Sequence, residues 1–375
     1  MICTFKDRSN LLNPEKQMTS PSLFSPLKLS QLELKNRVVV SPMCQYSAVD
    51  GFANDWHLVH LGQFAIGRAG AVIQEATAVS PEGRISYGDL GIWKDEHIAK
   101  YKQITSFIKG QGSQVGIQLA HAGRKASTDL PWISRKQFLP NEEHGWQTVA
   151  PSPIAYHEKE HPPIGLNKSE IQDIIQQFKA AAARAVEAGY QIIEIHAAHG
   201  YLIHQFLSPL VNFRDDEYGG SFENRIRLLL EIVGSIQSVL NSGHSLWVRL
   251  SATDWAEGGW DIEQTIQLIH ILKEKAVEVA DISSGGAVSF QKIPVGPGYQ
   301  VPFADQVKQQ TGITTGAVGL ITSAKQAQDI LDRGAADLIL LGREFLRHPH
   351  LVYGWAQELG VDLNWAPQYA RAKIE

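Results

Sequence analysis

Between Glu194 and Pro209 the chain reads EIHAAHGYLIHQFLSP, which sets His196, His199, Tyr201 and His204 directly after an apolar run. Imidazoles are costly to bury unless their nitrogens find partners, so this spacing asks for a metal, a ligand or a hydrogen-bond network. Metal ligation fits poorly. His-x-x-His is not the His-Glu-x-x-His zinc helix, no His-x-His ends the first apolar run, and no carboxylate stands ready to complete a set. Two imidazoles can instead donate hydrogen bonds to one substrate oxygen and stabilise charge that develops there. Tyr201 can then supply a proton as general acid, while His204 falls further into the next segment and reads as structural. The bland alternative is a pair of hydrogen-bonded structural histidines.

Other residues with chemistry to offer stand at the ends of further apolar runs. Cys44 can be a nucleophile, but no companions for acyl transfer accompany it, which leaves a thiol bonding a cofactor or plain packing. Arg249, if it points inward, needs an anion: a carboxylate such as Asp254, or a bound anionic cofactor. Gln118 can form paired donor and acceptor bonds to a planar heterocycle, or satisfy a loop backbone. No lysine ends a run, so Schiff-base chemistry has no candidate. GAVG (316–319) and Gly342-Arg343 have the look of a phosphate site, with glycine amides for close approach and a forked guanidinium. The alternative is that these glycines merely end strands and Arg343 pairs with a carboxylate.

These residues need a scaffold. Eight buried runs recur, at 38–43, 69–79, 114–121, 191–199, 245–251, 279–285, 313–319 and 336–343. Continuous apolar runs suit parallel strands covered on both faces. Amphipathic helices alternate with them, at about 95–109, 225–240, 262–275 and 322–333. The clearest covers 169–188, with Ser169 as N-cap and Gly189 at its end. The pattern predicts an α/β fold, a single (β/α)8 TIM barrel with an extended loop after strand 3 (126–165). A doubly wound open sheet is the alternative, but no Gly-x-Gly-x-x-Gly follows any strand. The polar, patternless stretch 1–20 is expected to be a disordered leader, and 21–375 the barrel.

Composition narrows the class. The 375 residues are 43% hydrophobic with a net charge of −5, which argues against a nucleic-acid binder. No run approaches the roughly eighteen apolar residues of a membrane span. Two cysteines, Cys3 and Cys44, are too few for a disulfide framework, and a cytoplasmic protein is the default.

Five segments carry a family resemblance: SPMCQYS, GIQLAHAGRKAS, EIHAAHGYLIHQFLSPLVNFRDDEYGGSFENR, GAVGLI and LILLGREFLRHP, in that order. Together, over about residues 23–371, the chain resembles the old yellow enzyme family of FMN-dependent ene-reductases. It is most similar to the bacterial subgroup with a cysteine near the flavin, often described as NADPH dehydrogenases. The resemblance implies that Ser41, Pro42, Met43 and Cys44 line FMN, that Ala76 and Gln118 contact its ring, and that Arg249 sits by the N1/O2 edge. Gly319, Gly342 and Arg343 would hold its phosphate. His196 and His199 would bond the carbonyl oxygen of an α,β-unsaturated substrate, Tyr201 would protonate the α-carbon, and Tyr46 would shape the pocket. NADPH or NADH would reduce the flavin from the same side, giving ping-pong kinetics; nitroalkenes and quinones are further acceptors the resemblance implies. A homodimer or homotetramer follows in the same way, with Arg371 reaching a neighbouring active site, although Ala372 and Lys373 replace the usual glycine and tryptophan. No metal, nucleic acid or membrane partner is expected. The rivals are a larger dienoyl-CoA or enoate reductase, a metal-dependent barrel hydrolase, and a catalytically silent flavin-binding protein.

Overall fold

Eight short strands take up the apolar runs: β1 (Val38–Val40), β2 (Ala71–Ala78), β3 (Gln114–Ala120), β4 (Ile192–Ala197), β5 (Ser245–Ser251), β6 (Val279–Ser283), β7 (Thr314–Ala317) and β8 (Leu338–Leu341). The computed structural model describes residues 22–30 and 32–373, so the expected leader over 1–20 lies outside the described residues. All eight strands pair in parallel, β8 joins β1, and the sheet closes into a barrel. The predicted fold is the observed one.

Eight helices of eight or more residues follow the strands in turn among the described residues: α1 (Asp55–Ile66), α2 (Ile98–Gly110), α3 (Lys168–Glu187), α4 (Phe222–Gln237), α5 (Ile262–Glu274), α6 (Val301–Thr311), α7 (Ala324–Asp332) and α8 (Leu351–Glu358). Two short helical pieces, Leu202–Leu207 and Arg343–Arg347, lie close behind the fourth and eighth strands. None among the described residues is long and apolar enough to cross a membrane. The start of α3 differs from expectation. Its N-cap is Asn167, not Ser169. Asn167 Oδ1 accepts from Glu170 N–H at 3.0 Å and Glu170 Oε2 accepts from Asn167 N–H at 2.7 Å, a reciprocal box that Ser169 has no partner to match. Asn167→Ala is expected to cost about 1 kcal/mol in urea denaturation, with Asn167→Ser restoring most of it.

Two apolar shells hold the barrel. The larger lies between sheet and helices, and includes Phe64, Tyr101, Phe178 and Ile232. The smaller fills the barrel's lower interior with Val39, Ile73, Ile192, Trp247, Val279 and Leu340. An antiparallel pair, Leu27–Lys28 with Glu33–Leu34, packs Leu29, Leu32 and Leu34 onto that inner core. Each fully buried aliphatic side chain contributes about 1.5–3 kcal/mol of transfer free energy. Higher up, the strand residues turn polar: Gln118, Glu194, His196, Arg249, Asp281 and Ser283 are all buried. The long excursion between β3 and α3 carries only short pieces, among them a parallel bridge of Val149–Ala150 to Ile164–Gly165.

Candidate active site

The site is assembled at the carboxyl ends of the strands. In β2 the register slips between Gln74 and Ala76, so Glu75 is an extra, bulged residue. The bulge returns Ala76 to a place opposite Gln118 and frees the Glu75 carboxylate for the loop after β1. Glu75 Oε2 accepts from Gln45 N–H at 2.6 Å, and its Oε1 lies 3.7 Å from His57 Nε2. That bond fixes the Cys44–Tyr46 turn, in which Tyr46 takes a left-handed φ of 48°. Burial, then Asp89 and Glu75, push the Cys44 thiol well up. It stays protonated, so it packs or donates a hydrogen bond rather than acting as a nucleophile.

His196, His199 and Tyr201 converge as their spacing suggested. The rings of His196 and His199 are 5.1 Å apart edge-to-face, and Tyr201 stands 4.9 Å from His196. Burial, reinforced by the charge of Arg249, drives both histidines well below the ordinary imidazole range, so both are neutral. His196 Nδ1 accepts from Ala198 N–H at 3.3 Å, which puts its proton on Nε2. His199 Nε2 lies 2.7 Å from Ser283 Oγ. Ser283 Oγ also reaches Gln300 Oε1 at 3.3 Å, where the Ser284 hydroxyl donates at 2.6 Å, so His199 is tied through Ser283 to the Gln300 amide. Burial also pushes the Tyr201 phenol up, so it holds its proton.

The His199 turn is held in a costly shape. His199 has φ 59° and Gly200 φ 74°, two left-handed residues in succession. Its N–H donates to Ser251 Oγ at 2.9 Å and its carbonyl accepts from Lys125 Nζ at 2.8 Å. Across from it, a Cβ on Gly286 would lie 2.3 Å from His199 C, and one on Gly200 would lie 1.8 Å from Gly286 O. Only glycines permit that approach. His204 is structural: its Nε2 is 2.8 Å from Asp254 Oδ1, and its Nδ1 accepts from Gly200 N–H at 2.8 Å.

Asp254 is thereby occupied, and the expectation that it could partner Arg249 is corrected. Arg249 Nε faces Asp281 Oδ2 at 2.7 Å, because the two are opposite each other on β5 and β6. The contact is an ion pair off the hydrogen-bond axis, so Arg249 Nε and both Asp281 oxygens have no hydrogen-bond partner in the protein. Gln118 Nε2 donates to Glu194 Oε1 at 2.7 Å, fixing which end of the amide faces inward. Burial, with Asp281 next, lifts the Glu194 carboxyl to about 8, against the pull of Arg249. The folded chain then holds a proton that the unfolded chain releases, so stability falls as pH rises from about 4.5 to about 8 and levels off beyond. Glu194→Gln is expected to lose that slope and to melt above the parent at about pH 8.5. Thermal melts across pH decide it; an unchanged slope would count against the assignment.

A cleft of about 330 Å³ runs from these residues to the ends of β7 and β8, lined by Ser41, Met43, His199, Arg249, Gly319 and Arg343 among others. At its outer end Gly319 has φ 117°, and a Cβ there would meet Gln300 Nε2 at 2.9 Å. Arg343 is exposed and makes no carboxylate ion pair among the described residues, against the bland alternative for it. At the inner end Ser41 Oγ and Arg249 Nε are buried without hydrogen-bond partners in the protein. Orphaned donors at one end and a glycine-arginine cradle at the other fit an elongated group with a polar ring and a phosphate, as FMN has. Pro42 and Met43 line the same cleft, while Cys44 and Ala76 stand beside it on neighbouring backbone. Arg371 is not brought to this site; it is exposed on the turn Pro367–Ala372.

Sequence reasoning missed Glu194, Asp281 and Lys125, and placed Glu75 at a strand end without giving it a role. The signal was there for two of them: Glu194 and Asp281 are lone charges inside otherwise apolar strands. A match to the family model described as NADH:flavin oxidoreductase / NADH oxidase spans residues 22–361. The NADPH dehydrogenase of Geobacillus sp. (strain WCH70) is 46% identical over 93% of this chain and 98% of its own. Among solved structures, morphinone reductase superposes with a TM-score of 0.76 at 29% identity, over 94% of this chain and 93% of that one. The old yellow enzyme homologue from Zymomonas mobilis gives a TM-score of 0.75 at 26% identity, over 93% and 98%. On this cover and identity, with the strand-end constellation in place, the chain belongs to the NADH:flavin oxidoreductase / NADH oxidase family, the old yellow enzymes.

Proposed function

We propose that the protein is an FMN-dependent NADPH dehydrogenase that reduces the activated C=C bond of α,β-unsaturated carbonyl compounds, and of nitroalkenes and quinones. The observation that carries this reading is the convergence of two neutral imidazoles and a neutral phenol beside a cleft suited to a flavin. When bound, FMN supplies the hydride chemistry between NAD(P)H and the acceptor. The chain's own residues do the rest. His196 Nε2–H and His199 donate to the acceptor oxygen and stabilise the charge that grows there, and because both are neutral beforehand they do so without a buried charge to offset. Tyr201 holds its proton until the α-carbon needs it. Arg249 places a fixed positive charge where the reduced ring would carry a negative one. Ser41, Pro42, Met43, Cys44, Ala76 and Gln118 orient the ring, and Gly319, Gly342 and Arg343 hold the phosphate. Tyr46 bounds the acceptor pocket, and Arg371 of a neighbouring subunit is the proposed addition in a homodimer or homotetramer.

One mouth then serves NAD(P)H and acceptor in turn, so ping-pong kinetics follow. The test is anaerobic stopped-flow absorbance: NADPH, then 2-cyclohexenone, with the flavin band followed. Bleaching and return support both half-reactions. Bleaching without return keeps the flavin and moves the search to other acceptors; a colourless protein that cannot be loaded with FMN sinks the reading.

A further inference from the structure

Beyond the catalytic trio, a second cleft of about 470 Å³ opens under the 126–165 excursion, sharing Tyr46 and Tyr201 with the site and lined further by Lys125, Arg135, Tyr156 and Glu160. Its cations form no ion pair among the described residues, although Glu160 lies close enough to attract Lys125. Lys125 Nζ donates only to two carbonyls, His199 O at 2.8 Å and Gly286 O at 3.3 Å, and forms no ion pair among the described residues. It lies 4.5 Å from the Tyr156 ring and 5.3 Å from that of Tyr201, contacts that suit a cation with little water around it. Arg135, exposed at the rim, spends only Nε, on Pro131 O at 3.3 Å.

The acids of the cleft are already engaged. Asp129 accepts from Leu130 N–H, Ser134 Oγ and Tyr87 Oη, and Glu160 Oε2 accepts from His157 N–H at 3.0 Å. A half-buried ammonium with one N–H to spare, a free guanidinium at the rim and aromatic walls make a place for an anion attached to a planar group. A cation stripped of much of its water without a paired carboxylate is costly, and an arriving anion would relieve that cost.

We propose that this cleft is an anion subsite, in which Lys125 and Arg135 read a phosphate or carboxylate on the ligand held over the catalytic trio. The proposal rests on the ene-reductase reading above and adds a selectivity to it. The anion has two sources: the phosphates of the reduced dinucleotide, or a carboxylate on the acceptor. Lys125 faces Arg124 on its own segment, Glu160, and the neutral Tyr46, Tyr156, Tyr201, His196 and His199. Burial and the Arg124 charge lower it to about 8, so the selectivity should be present at neutral pH and fade as pH rises past about 8.

The experiment compares kcat/KM for charged and uncharged ligands in the holoenzyme and in Lys125→Met, Lys125→Arg and Arg135→Gln. Donors are NADPH, NADH and the uncharged 1-benzyl-1,4-dihydronicotinamide; acceptors are 2-cyclohexenone and 4-oxo-4-phenylbut-2-enoate. Lys125→Met is expected to lower the charged-to-uncharged ratio about tenfold or more, Arg135→Gln by a smaller factor, and Lys125→Arg to preserve it. A fall with both dinucleotides assigns the anion to the donor's pyrophosphate, a fall with NADPH alone to its extra phosphate, and a fall with the oxobutenoate to the acceptor. Equal losses for charged and uncharged ligands would make Lys125 only a clamp on the His199 turn, and unchanged ratios would remove its role; either overturns the subsite. Titrating NADP+ and the oxobutenoate into the oxidised holoenzyme, read by the flavin absorbance, gives the same ratios as affinities without turnover. If the uncharged donor and acceptor fail to turn over, the ene-reductase reading fails, and those affinities still decide the subsite.

Discussion

His199→Ala is expected to lower kcat/KM for 2-cyclohexenone by about a hundred- to a thousandfold, the cost of one preorganised oxyanion donor. FMN should stay bound and the fold intact, because the residue packs no helix and its backbone bonds come from Ser251 and Lys125. The effect should fall on the oxidative half-reaction in stopped-flow work, where the acceptor oxygen gathers charge. His199→Asn separates the ring from the donor. Asparagine tolerates the left-handed φ of 59° and still offers an N–H, so it should recover a large part of the loss. If alanine and asparagine lose alike, imidazole itself matters and the simple two-donor account is incomplete. If neither loses more than about threefold, the oxygen is held elsewhere.

What the chain order disclosed, and what it hid, follows from the physics of each residue. The barrel was legible because strands covered on both faces must be apolar throughout, so β1 to β8 stand out as runs that solvent-facing strands would break with alternation. His196, His199 and Tyr201 were legible because costly polar groups crowd directly behind such a run. The partners of those groups were not. Asp254 looked available to Arg249 from proximity along the chain, yet cross-strand register gives Arg249 to Asp281 and leaves Asp254 to His204 and Ser208. Glu75 stood visibly at a strand end, but its role was hidden for a similar reason: a one-residue bulge, invisible in composition, turns it from the ladder toward the Tyr46 turn. Asn167 was overlooked because Ser169 satisfied the capping rule alone, while the reciprocal bond from Glu170 decided between them. Lys125 stood inside a segment that carried the resemblance, but only the folded excursion shows that it forms no ion pair among the described residues.

Asp281→Ala should be the most damaging substitution for stability, at about 3–5 kcal/mol in urea denaturation with saturating FMN. Asp281 and Arg249 are both buried, with side chains 0% and 7% exposed. Removing the carboxylate leaves the guanidinium without an ionised partner for as long as Glu194 holds its proton. Truncation therefore costs far more than the pair itself contributes, since each ion lost hydration on entering the barrel. Two consequences separate this account from loss of packing. Arg249→Met added to Asp281→Ala should recover stability, because the stranded charge is then gone; a packing defect would only deepen. And with Asp281 absent, its repulsion no longer holds up the Glu194 carboxyl, which leaves Glu194 free to ionise beside Arg249 at lower pH. The pH slope of stability should then shift to lower pH in Asp281→Ala and vanish in Asp281→Ala with Glu194→Gln. If instead Asp281→Ala costs less than about 1 kcal/mol, Glu194 already serves as the counter-charge and Asp281 is the carboxyl that carries the proton. Either way, two acids and one guanidinium at the floor of the cleft fix the charge that a reduced flavin would meet there.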